Sequence, residues 1–302
     1  MNKIIKIDKN NKYFNVSWKM TLWCNQKCSY CFQNHTKWRE YAEICNVADK
    51  LNIILNTIDE DINLQFVGGE VTYYNLIDLL QNHLTSKNIK TISIVTNFSN
   101  TIDYFNDLNK YCKQNNISLS LVISYHPEYI TIENLIDKIS KLDSSIKISH
   151  INFVVTNENV NSLENIFNNI IVNKDLFFNN LQLIKDQKGI DPETNKIFNK
   201  LINTYQTQAP NWTVTFDNNV EKNLNRSNCQ VLNQSYNGYM CDKILRLDLD
   251  NTFRAGVCGT NIKIPINEFI YKTKKDIKKF CLTKCILNKC PLCGFNLIYK
   301  EK

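Results

Sequence analysis

The chain has 302 residues, of which 43% are hydrophobic, and no run approaches the ~18 apolar residues of a membrane-spanning helix. Its net charge of +7 falls in residues 271–302, where nine lysines accompany Asp276 and Glu301. Because that segment also holds four cysteines, we interpret the lysines as a solvated face around a metal-binding loop, and expect no nucleic-acid partner. The N-terminus shows no secretion signal, so we expect a cytoplasmic protein without a membrane partner.

Strand and helix patterns alternate through the first two thirds of the chain. Strands are predicted at Asn15–Thr21, Asn63–Val67, Thr91–Thr96, Ser118–Ser124, Ile148–Thr156 and Leu181–Lys185. Helices are predicted between them, at Glu40–Thr57, Asn75–His83, Ile102–Gln114, Ile132–Leu142 and Val160–Val172. The alternation indicates right-handed crossovers and a parallel sheet. Six units are too few for a full eight-stranded barrel, so we predict an α/β fold, a partial (βα)6 TIM-like barrel.

The alternation weakens after the sixth strand. One more helix is predicted over Asp191–Gln206, and a hairpin-like stretch follows at Lys243–Val257 before a cysteine-rich tail. We therefore place a boundary near residue 210. It divides a part-barrel domain, residues 1–210, from a small cysteine-rich domain, residues 211–302.

Three cysteines follow the first strand within eight residues: Cys24, Cys28 and Cys31, here called the claw. In a reducing compartment, such clusters are more often metal sites than disulfides. A 4Fe–4S cluster has four irons, so three thiolate ligands would leave one iron open. The claw therefore predicts a cluster that binds another molecule, which points to catalysis.

Polar and glycine residues follow the next strands. Gly68-Gly69-Glu70 follows the second strand, Asn97 the third, and Ser124 and His126 the fourth. The carboxyl ends of barrel strands carry the active site, so we expect these residues and the claw to share one rim. His126, and likewise His35 after the claw, could line a substrate pocket or be ordinary loop histidines.

The claw spacing, Cys24-x3-Cys28-x2-Cys31, with Tyr30 before its last cysteine and Gly68-Gly69-Glu70 37 residues after it, resembles the radical S-adenosylmethionine (radical SAM) superfamily over roughly residues 13–190. The resemblance implies that the claw binds a 4Fe–4S cluster whose open iron takes the amino and carboxylate groups of S-adenosylmethionine (SAM). One electron then cleaves SAM to methionine and a 5′-deoxyadenosyl radical, which takes a hydrogen atom from a substrate. It also implies a low-potential electron donor of the flavodoxin or ferredoxin type.

The resemblance assigns further cofactor-binding residues. The backbone edge of Gly68, Gly69 and Glu70 would receive the methionine amino group, with glycine needed because a Cβ would obstruct the close approach. Tyr30 matches the aromatic residue of the cysteine motif. Asn97 and Ser124 resemble positions that contact the carboxylate and the ribose, while a turn-capping asparagine and an ordinary strand-end serine remain the alternatives.

The last 62 residues hold six cysteines: Cys241, Cys258, Cys281, Cys285, Cys290 and Cys293. The first two flank the hairpin-like stretch, an arrangement that resembles the SPASM or twitch extensions that hold auxiliary clusters, although the seven-cysteine SPASM spacing is not matched. We expect at least one auxiliary 4Fe–4S cluster, with the first two and the last two of these cysteines as the preferred ligands. A structural zinc on the last four is the alternative, but zinc sites usually separate their ligand pairs by a dozen or more residues.

Three other cysteines remain. Cys45 and Cys112 fall in helical patterns and are predicted to be small buried apolar residues. Cys229 precedes the hairpin-like stretch. It could be incidental, an auxiliary ligand, or a thiol that donates a hydrogen atom to a substrate radical, as radical peptide epimerases use.

The sequence therefore predicts a radical SAM enzyme whose substrate is either a ribosomally made peptide, for epimerisation or crosslinking, or a small metabolite such as a sugar, nucleoside or amino acid. The auxiliary cysteines favour the peptide. The lack of room before Cys24 for a leader-binding domain favours the metabolite. A non-enzymatic electron-transfer or zinc-binding protein is the remaining alternative.

Overall fold

The computed structural model describes residues 4–9, 13–31, 33, 38–169, 181–186, 189–205, 212–216, 218–224, 239–242, 245–255, 262–284 and 297–300. The strands in these ranges are β1 (Ile4–Lys9), β2 (Phe14–Thr21), β3 (Ile62–Gly68), β4 (Ile89–Thr96), β5 (Ser118–Tyr125), β6 (Lys147–Val155), β7 (Leu181–Lys185), β8 (Trp212–Phe216), β9 (Glu221–Leu224), β10 (Tyr239–Asp242), β11 (Leu245–Leu247), β12 (Thr252–Ala255), β13 (Ile264–Pro265), β14 (Leu282–Lys284) and β15 (Leu297–Lys300). The helices are α1 (Tyr41–Thr57), α2 (Leu76–Asn82), α3 (Ile102–Gln114), α4 (Ile132–Ser140), α5 (Val160–Asn169), α6 (Pro192–Tyr205), α7 (Ile266–Phe269) and α8 (Lys274–Cys281), with a 3₁₀ turn at Val71–Tyr73.

The central sheet of the described chain has nine strands in the order β13-β12-β11-β2-β3-β4-β5-β6-β7. Strands β2 to β7 run parallel, each paired with the next. They are the six predicted strands, each within two residues of its predicted bounds. The intervening helices also lie within two residues of their predicted bounds, except that residues 170–172 of the fifth predicted helix lie outside the described residues. The predicted α/β part-barrel is confirmed.

The two faces of the sheet differ in polarity, as β2 illustrates. Val16, Trp18 and Met20 alternate along the strand and are fully buried in the hydrophobic core beneath the helices. Ser17 and Lys19 lie between them and line a cavity on the other face. Because successive residues of a strand point to opposite faces, the same alternation that packs the helices also leaves a polar inner surface.

The predicted hairpin is present, but it also extends the central sheet. Strands β11 and β12 pair antiparallel, while β11 runs parallel to β2, with Arg246 opposite Ser17. Periodicity within a segment cannot reveal such a pairing, because the two strands lie more than 200 residues apart. The consequence is that a strand from beyond residue 210 forms part of the cavity wall.

Arg39 joins this hairpin to the part-barrel. Its side chain is 4% exposed, and its Nη2 donates to Asn251 Oδ1 in the hairpin turn at 2.9 Å. Its Nη1 donates to the Met20 carbonyl at 3.3 Å, and its Nε donates to Glu43 at 3.1 Å. One buried guanidinium therefore ties together β2, α1 and the hairpin, which a shorter or less branched donor could not do.

Two smaller sheets complete the described chain, in the orders β1-β8-β9 and β14-β10-β15. Helix α8 forms ion pairs with the residues before β3, Lys274 with Asp59 and Lys278 with Glu60. The division of the chain near residue 210 stays a prediction. Of the described helices, none combines the length and apolar character that crossing a membrane requires.

Candidate active site

A cavity of about 450 Å³ opens at the carboxyl ends of the parallel strands. Nine residues of the part-barrel are predicted to bind iron or cofactor, and eight of them line this cavity: Cys24, Cys28, Tyr30, Cys31, Gly68, Gly69, Asn97 and Ser124. The ninth, Glu70, is fully buried and does not line the cavity. The parallel topology brings these residues together, because the carboxyl ends of neighbouring strands meet at one edge of the sheet.

The claw segment is fastened to the loop that follows β5. The Lys27 amide donates to the Tyr129 hydroxyl at 2.7 Å, and the Ser29 hydroxyl donates to Glu128 Oε1 at 2.6 Å. These contacts join residues about 100 positions apart in the sequence. They hold the loop that carries the claw beside the cavity.

The claw thiols are partly buried and have polar neighbours. Cys24 Sγ accepts from the Gln26 amide at 3.4 Å and lies 3.5 Å from Asn97 Nδ2, while Cys28 Sγ lies 3.3 Å from His126 Nδ1. Burial raises the pKa of the Cys24 thiol, and it raises the pKa of Cys28 to about 12. Metal binding must therefore displace protons that burial retains on these sulfurs.

The claw supplies the type of ligand that a 4Fe–4S cluster takes. Among the described residues, no three cysteine, histidine, aspartate or glutamate side chains converge as ligands of one ion. A 4Fe–4S cluster needs another arrangement, because each cysteine binds a separate iron. Three thiols on one short loop, lining one cavity, meet that need.

The cavity also offers unpaired polar atoms to a ligand such as SAM. The side-chain oxygens of Gln26, Gln33 and Asn152 are buried and have no hydrogen-bond partner among the described residues. Buried polar atoms are nearly always paired. A ligand with amino and hydroxyl groups would supply the missing donors, so the residues present fit both the cluster and SAM.

The two glycines are required by the backbone that leads into the claw. A Cβ on Gly69 would lie 2.8 Å from the Leu22 carbonyl oxygen and closer still to that of Trp23, and one on Gly68 would collide with the Thr21 carbonyl. The Gly69 amide donates to the Thr21 carbonyl at 2.9 Å. The sequence led us to expect glycine for the approach of a ligand, whereas the structure places protein backbone against it.

Glu70 holds strand ends together. Its Oε1 accepts from the Thr72 hydroxyl at 2.7 Å and the Thr96 hydroxyl at 2.9 Å, and its Oε2 accepts from the Asn97 amide at 2.6 Å. Its own amide donates to the Trp23 carbonyl at 2.8 Å. Burial raises the pKa of the Glu70 carboxyl, and these donors oppose that rise. The side chain therefore acts behind the cavity wall, where it fixes the residues that form the rim.

Buried Tyr30 and partly buried His126 form a pair beside the claw. The Tyr30 hydroxyl lies 2.6 Å from His126 Nδ1, and the two rings stack with centroids 5.8 Å apart. Burial raises the pKa of Tyr30 and lowers the pKa of His126 to about 4. Both shifts keep the proton on the phenol, so we assign Tyr30 as the donor and Nδ1 as the acceptor. His126 thus lines the cavity, whereas His35, the other histidine that sequence reasoning left open, lies outside the described residues.

Asn97 combines a turn role with a position beside the claw. Its Oδ1 accepts from the Ser99 amide at 3.0 Å, and its Nδ2 donates to Asn25 Oδ1 at 2.9 Å while lying near Cys24. Ser124 lines the cavity opposite Asn152 on β6. Their contacts with SAM stay predictions.

Sequence reasoning missed Lys19 and Arg246, two basic residues that line the same cavity. Lys19 could have been found from the sequence, because lysine is rare inside a buried strand and this one lies just before the claw. Arg246 carries none, because its position depends on the pairing of β11 with β2.

Most tail cysteines lie outside the described residues: Cys229, Cys258, Cys285, Cys290 and Cys293. Cys241 lies on β10, whose backbone pairs with β14 and β15, opposite Thr283 and Leu297. Cys281 ends α8 and is 1% exposed within the hydrophobic core. The auxiliary ligands and the role of Cys229 stay predictions.

The two helical cysteines are no part of the cavity. Cys112 is fully buried in the core, as predicted, while Cys45 is partly buried and packs against the core from α1.

Solved structures with the same fold include native anSMEcpe with bound AdoMet and Kp18Cys peptide. It is 15% identical, with a TM-score of 0.56, and the match covers 87% of this chain and 79% of that chain. A hexahistidine-tagged form of anSMEcpe with bound AdoMet is 16% identical, with a TM-score of 0.54, covering 89% and 82%. Comparison with curated proteins gave no significant match. The family model of the radical SAM superfamily matches residues 18–170, 153 of the 302 residues, including the claw and both glycines. The chain belongs to the radical SAM superfamily of enzymes.

Proposed function

We propose that Cys24, Cys28 and Cys31 hold the 4Fe–4S cluster of the family, and that SAM lies in the adjoining cavity. The observation that carries this proposal is the meeting of the three thiols with Gly68 and Gly69 around one cavity. When bound, the cluster would supply the electron that cleaves the C5′–S bond of SAM into methionine and a 5′-deoxyadenosyl radical.

The chain's own residues position this chemistry. The Gly68 carbonyl lies on the cavity rim, where it already accepts from Gln33 Nε2 at 3.0 Å, and we assign it and its neighbours to the methionine amino group. We assign Asn97 and Ser124 to the SAM carboxylate and ribose. Hydrogen transfer from the substrate to the 5′ carbon then leaves 5′-deoxyadenosine and a substrate radical. The electron comes from a low-potential flavodoxin or ferredoxin type of donor, in a reducing, cytoplasmic compartment.

For the substrate, we propose a ribosomally made peptide first. Support comes from anSMEcpe, which carries bound AdoMet and a peptide, and whose fold matches 87% of this chain. A small metabolite is the second candidate. The size of the cavity favours it, because about 450 Å³ must hold SAM as well as the reacting group.

We further propose an auxiliary 4Fe–4S cluster on Cys241, Cys258, Cys290 and Cys293. The backbone pairing supports it, because β10, which carries Cys241, lies between β14 and β15. Cys281 and Cys285 flank β14 in the sequence, and β15 begins four residues after Cys293. Zinc on the last four tail cysteines remains the alternative.

The reaction is tested with anaerobically reconstituted protein, SAM and dithionite. Equal amounts of methionine and 5′-deoxyadenosine are expected, and their absence would contradict the proposal. The substrate class is then tested by adding a peptide fraction or a small-metabolite fraction prepared from cells grown in deuterated medium. Transfer of deuterium from the peptide fraction to 5′-deoxyadenosine supports a peptide substrate, and transfer from the metabolite fraction supports a metabolite substrate. Cleavage of SAM without deuterium transfer from either fraction would contradict hydrogen abstraction from both classes.

A further inference from the structure

Two basic side chains share the cavity wall formed by β2 and β11. Arg246 of β11 pairs with Ser17 of β2, and Lys19 follows two residues later on the same face. All three residues line the cavity that also contains the claw. The parallel pairing thus places a lysine and an arginine side by side on one surface.

Positive charge exceeds negative charge at this wall. Asp248 lies 3.5 Å from Arg246 Nε and 2.6 Å from Arg254 Nε, so one carboxylate serves two arginines. The Lys19 ammonium forms no ion pair with the described part of the chain, and no aspartate or glutamate is among the described residues that line the cavity. Burial and the two arginines lower the pKa of Lys19, while Asp248 opposes them. The wall therefore holds cations whose charge the neighbouring side chains do not balance.

We propose that Lys19 and Arg246 bind an anionic group of the substrate, a carboxylate or a phosphate. The inference rests on the proposed function and narrows its substrate class to acidic molecules or acidic peptide segments. Arg246 Nε lies 3.5 Å from Asp248 Oδ1 but is buried without a hydrogen-bond partner among the described residues, so the guanidinium can offer a two-point contact to an anion, and Lys19 adds a point charge. Arg254 and Asp248 position the arginine.

The test measures anion binding to the anaerobically reconstituted full-length protein by calorimetry, with inorganic phosphate and with acetate. The variants are Lys19→Met, Arg246→Met and their combination. Lys90→Met is the matched control, an exposed lysine at the start of β4. We expect at least one anion to bind, and the double variant to bind it at least about tenfold more weakly. Preference for one anion identifies the group.

Three results would overturn the inference. The first is that neither anion binds, and the second is that the double variant binds the anion as tightly as the unaltered protein does. The third is that the double variant loses as much affinity for SAM as it loses for the anion. The last would assign the cations to the carboxylate of SAM. The charge-preserving variant Lys19→Arg should retain binding within a few-fold. Arg246→Lys keeps the charge but loses the two-point contact, so it should bind more weakly than the unaltered protein and more tightly than Arg246→Met, which separates lost charge from misfolding. Formation of 5′-deoxyadenosine without substrate should be unchanged in Lys90→Met, whose side chain lies outside the cavity. Because anion binding needs no reductant, failure of SAM cleavage in the unaltered protein would refute the proposed function separately.

Discussion

Gly69→Ala is the substitution whose cost follows most directly from the structure. The added Cβ would lie 2.8 Å from the Leu22 carbonyl oxygen and closer to that of Trp23, inside the 3.0 Å that real Cβ atoms keep. The backbone of residues 22–23 must then retreat by about 1 Å in a close-packed interior. Overpacking costs about 1–3 kcal/mol. Weakening the hydrogen bonds donated by the Gly69 and Glu70 amides adds about 1 kcal/mol each. We expect unfolding free energy to fall by about 3–5 kcal/mol.

The same displacement reaches the chemistry, because Trp23 directly precedes Cys24. We expect fewer irons per chain after reconstitution and formation of 5′-deoxyadenosine slowed by about 100-fold, the order of effect that a 1 Å misplacement can cause. Urea unfolding followed by tryptophan fluorescence measures the stability. Iron analysis measures the number of irons per chain, and chromatography measures the rate of 5′-deoxyadenosine formation.

Gly189→Ala is the matched control. Gly189 has φ +94° and open space around an added Cβ, so alanine there costs backbone strain of about 1 kcal/mol without any collision. Iron content and activity should not change. If the two variants lose equal stability and load iron equally, the close approach of residues 22–23 does not explain the glycine at position 69.

Three further predictions concern the supports of the site and the tail. Glu70→Gln keeps one oxygen acceptor and places its NH2 group either against the Asn97 amide or against the hydroxyls of Thr72 and Thr96, and we expect a loss of about 1–3 kcal/mol in urea unfolding; unchanged stability would contradict the role of Glu70 in joining strand ends. Arg39→Met leaves two acceptors unpaired, the Met20 carbonyl of β2 and Asn251 Oδ1 of the hairpin turn, and we expect the free energy of unfolding to fall by about 2–3 kcal/mol and proteolysis near Asn251 to become faster. Proteolysis at the rate of the unaltered protein would contradict the role of Arg39 in joining the hairpin to the part-barrel. Reconstituted protein should contain about eight irons per chain if both clusters form, whereas about four irons with one zinc would contradict the auxiliary cluster.

Local sequence periodicity predicted the strands and helices of the part-barrel, because this domain repeats one strand–helix unit. Each strand from β2 to β7 is a short β-branched run, and each helix has its own apolar stripe, so periods of 2 and 3.6 residues locate both. The parallel order then follows from connection handedness, which places Cys24, Gly68 and Asn97 at one edge.

Long-range pairing could not be predicted in the same way. The register that sets Arg246 opposite Ser17 depends on packing between segments far apart in the chain. The reason for Gly69 was also hidden, because it depends on how closely two loops approach. Lys19 was visible as a charge within a buried strand, but its meaning required the neighbouring arginine.

The central claim is that the claw holds the cluster that supports SAM cleavage. The most direct measurement compares 5′-deoxyadenosine formed by Cys28→Ala with that formed by Cys45→Ala, a cysteine on α1 that does not line the cavity. Both proteins are reconstituted anaerobically and given SAM and dithionite. We expect Cys28→Ala to form none above background and Cys45→Ala to match the unaltered protein. Undiminished 5′-deoxyadenosine from Cys28→Ala would contradict the assignment of the cluster to the claw.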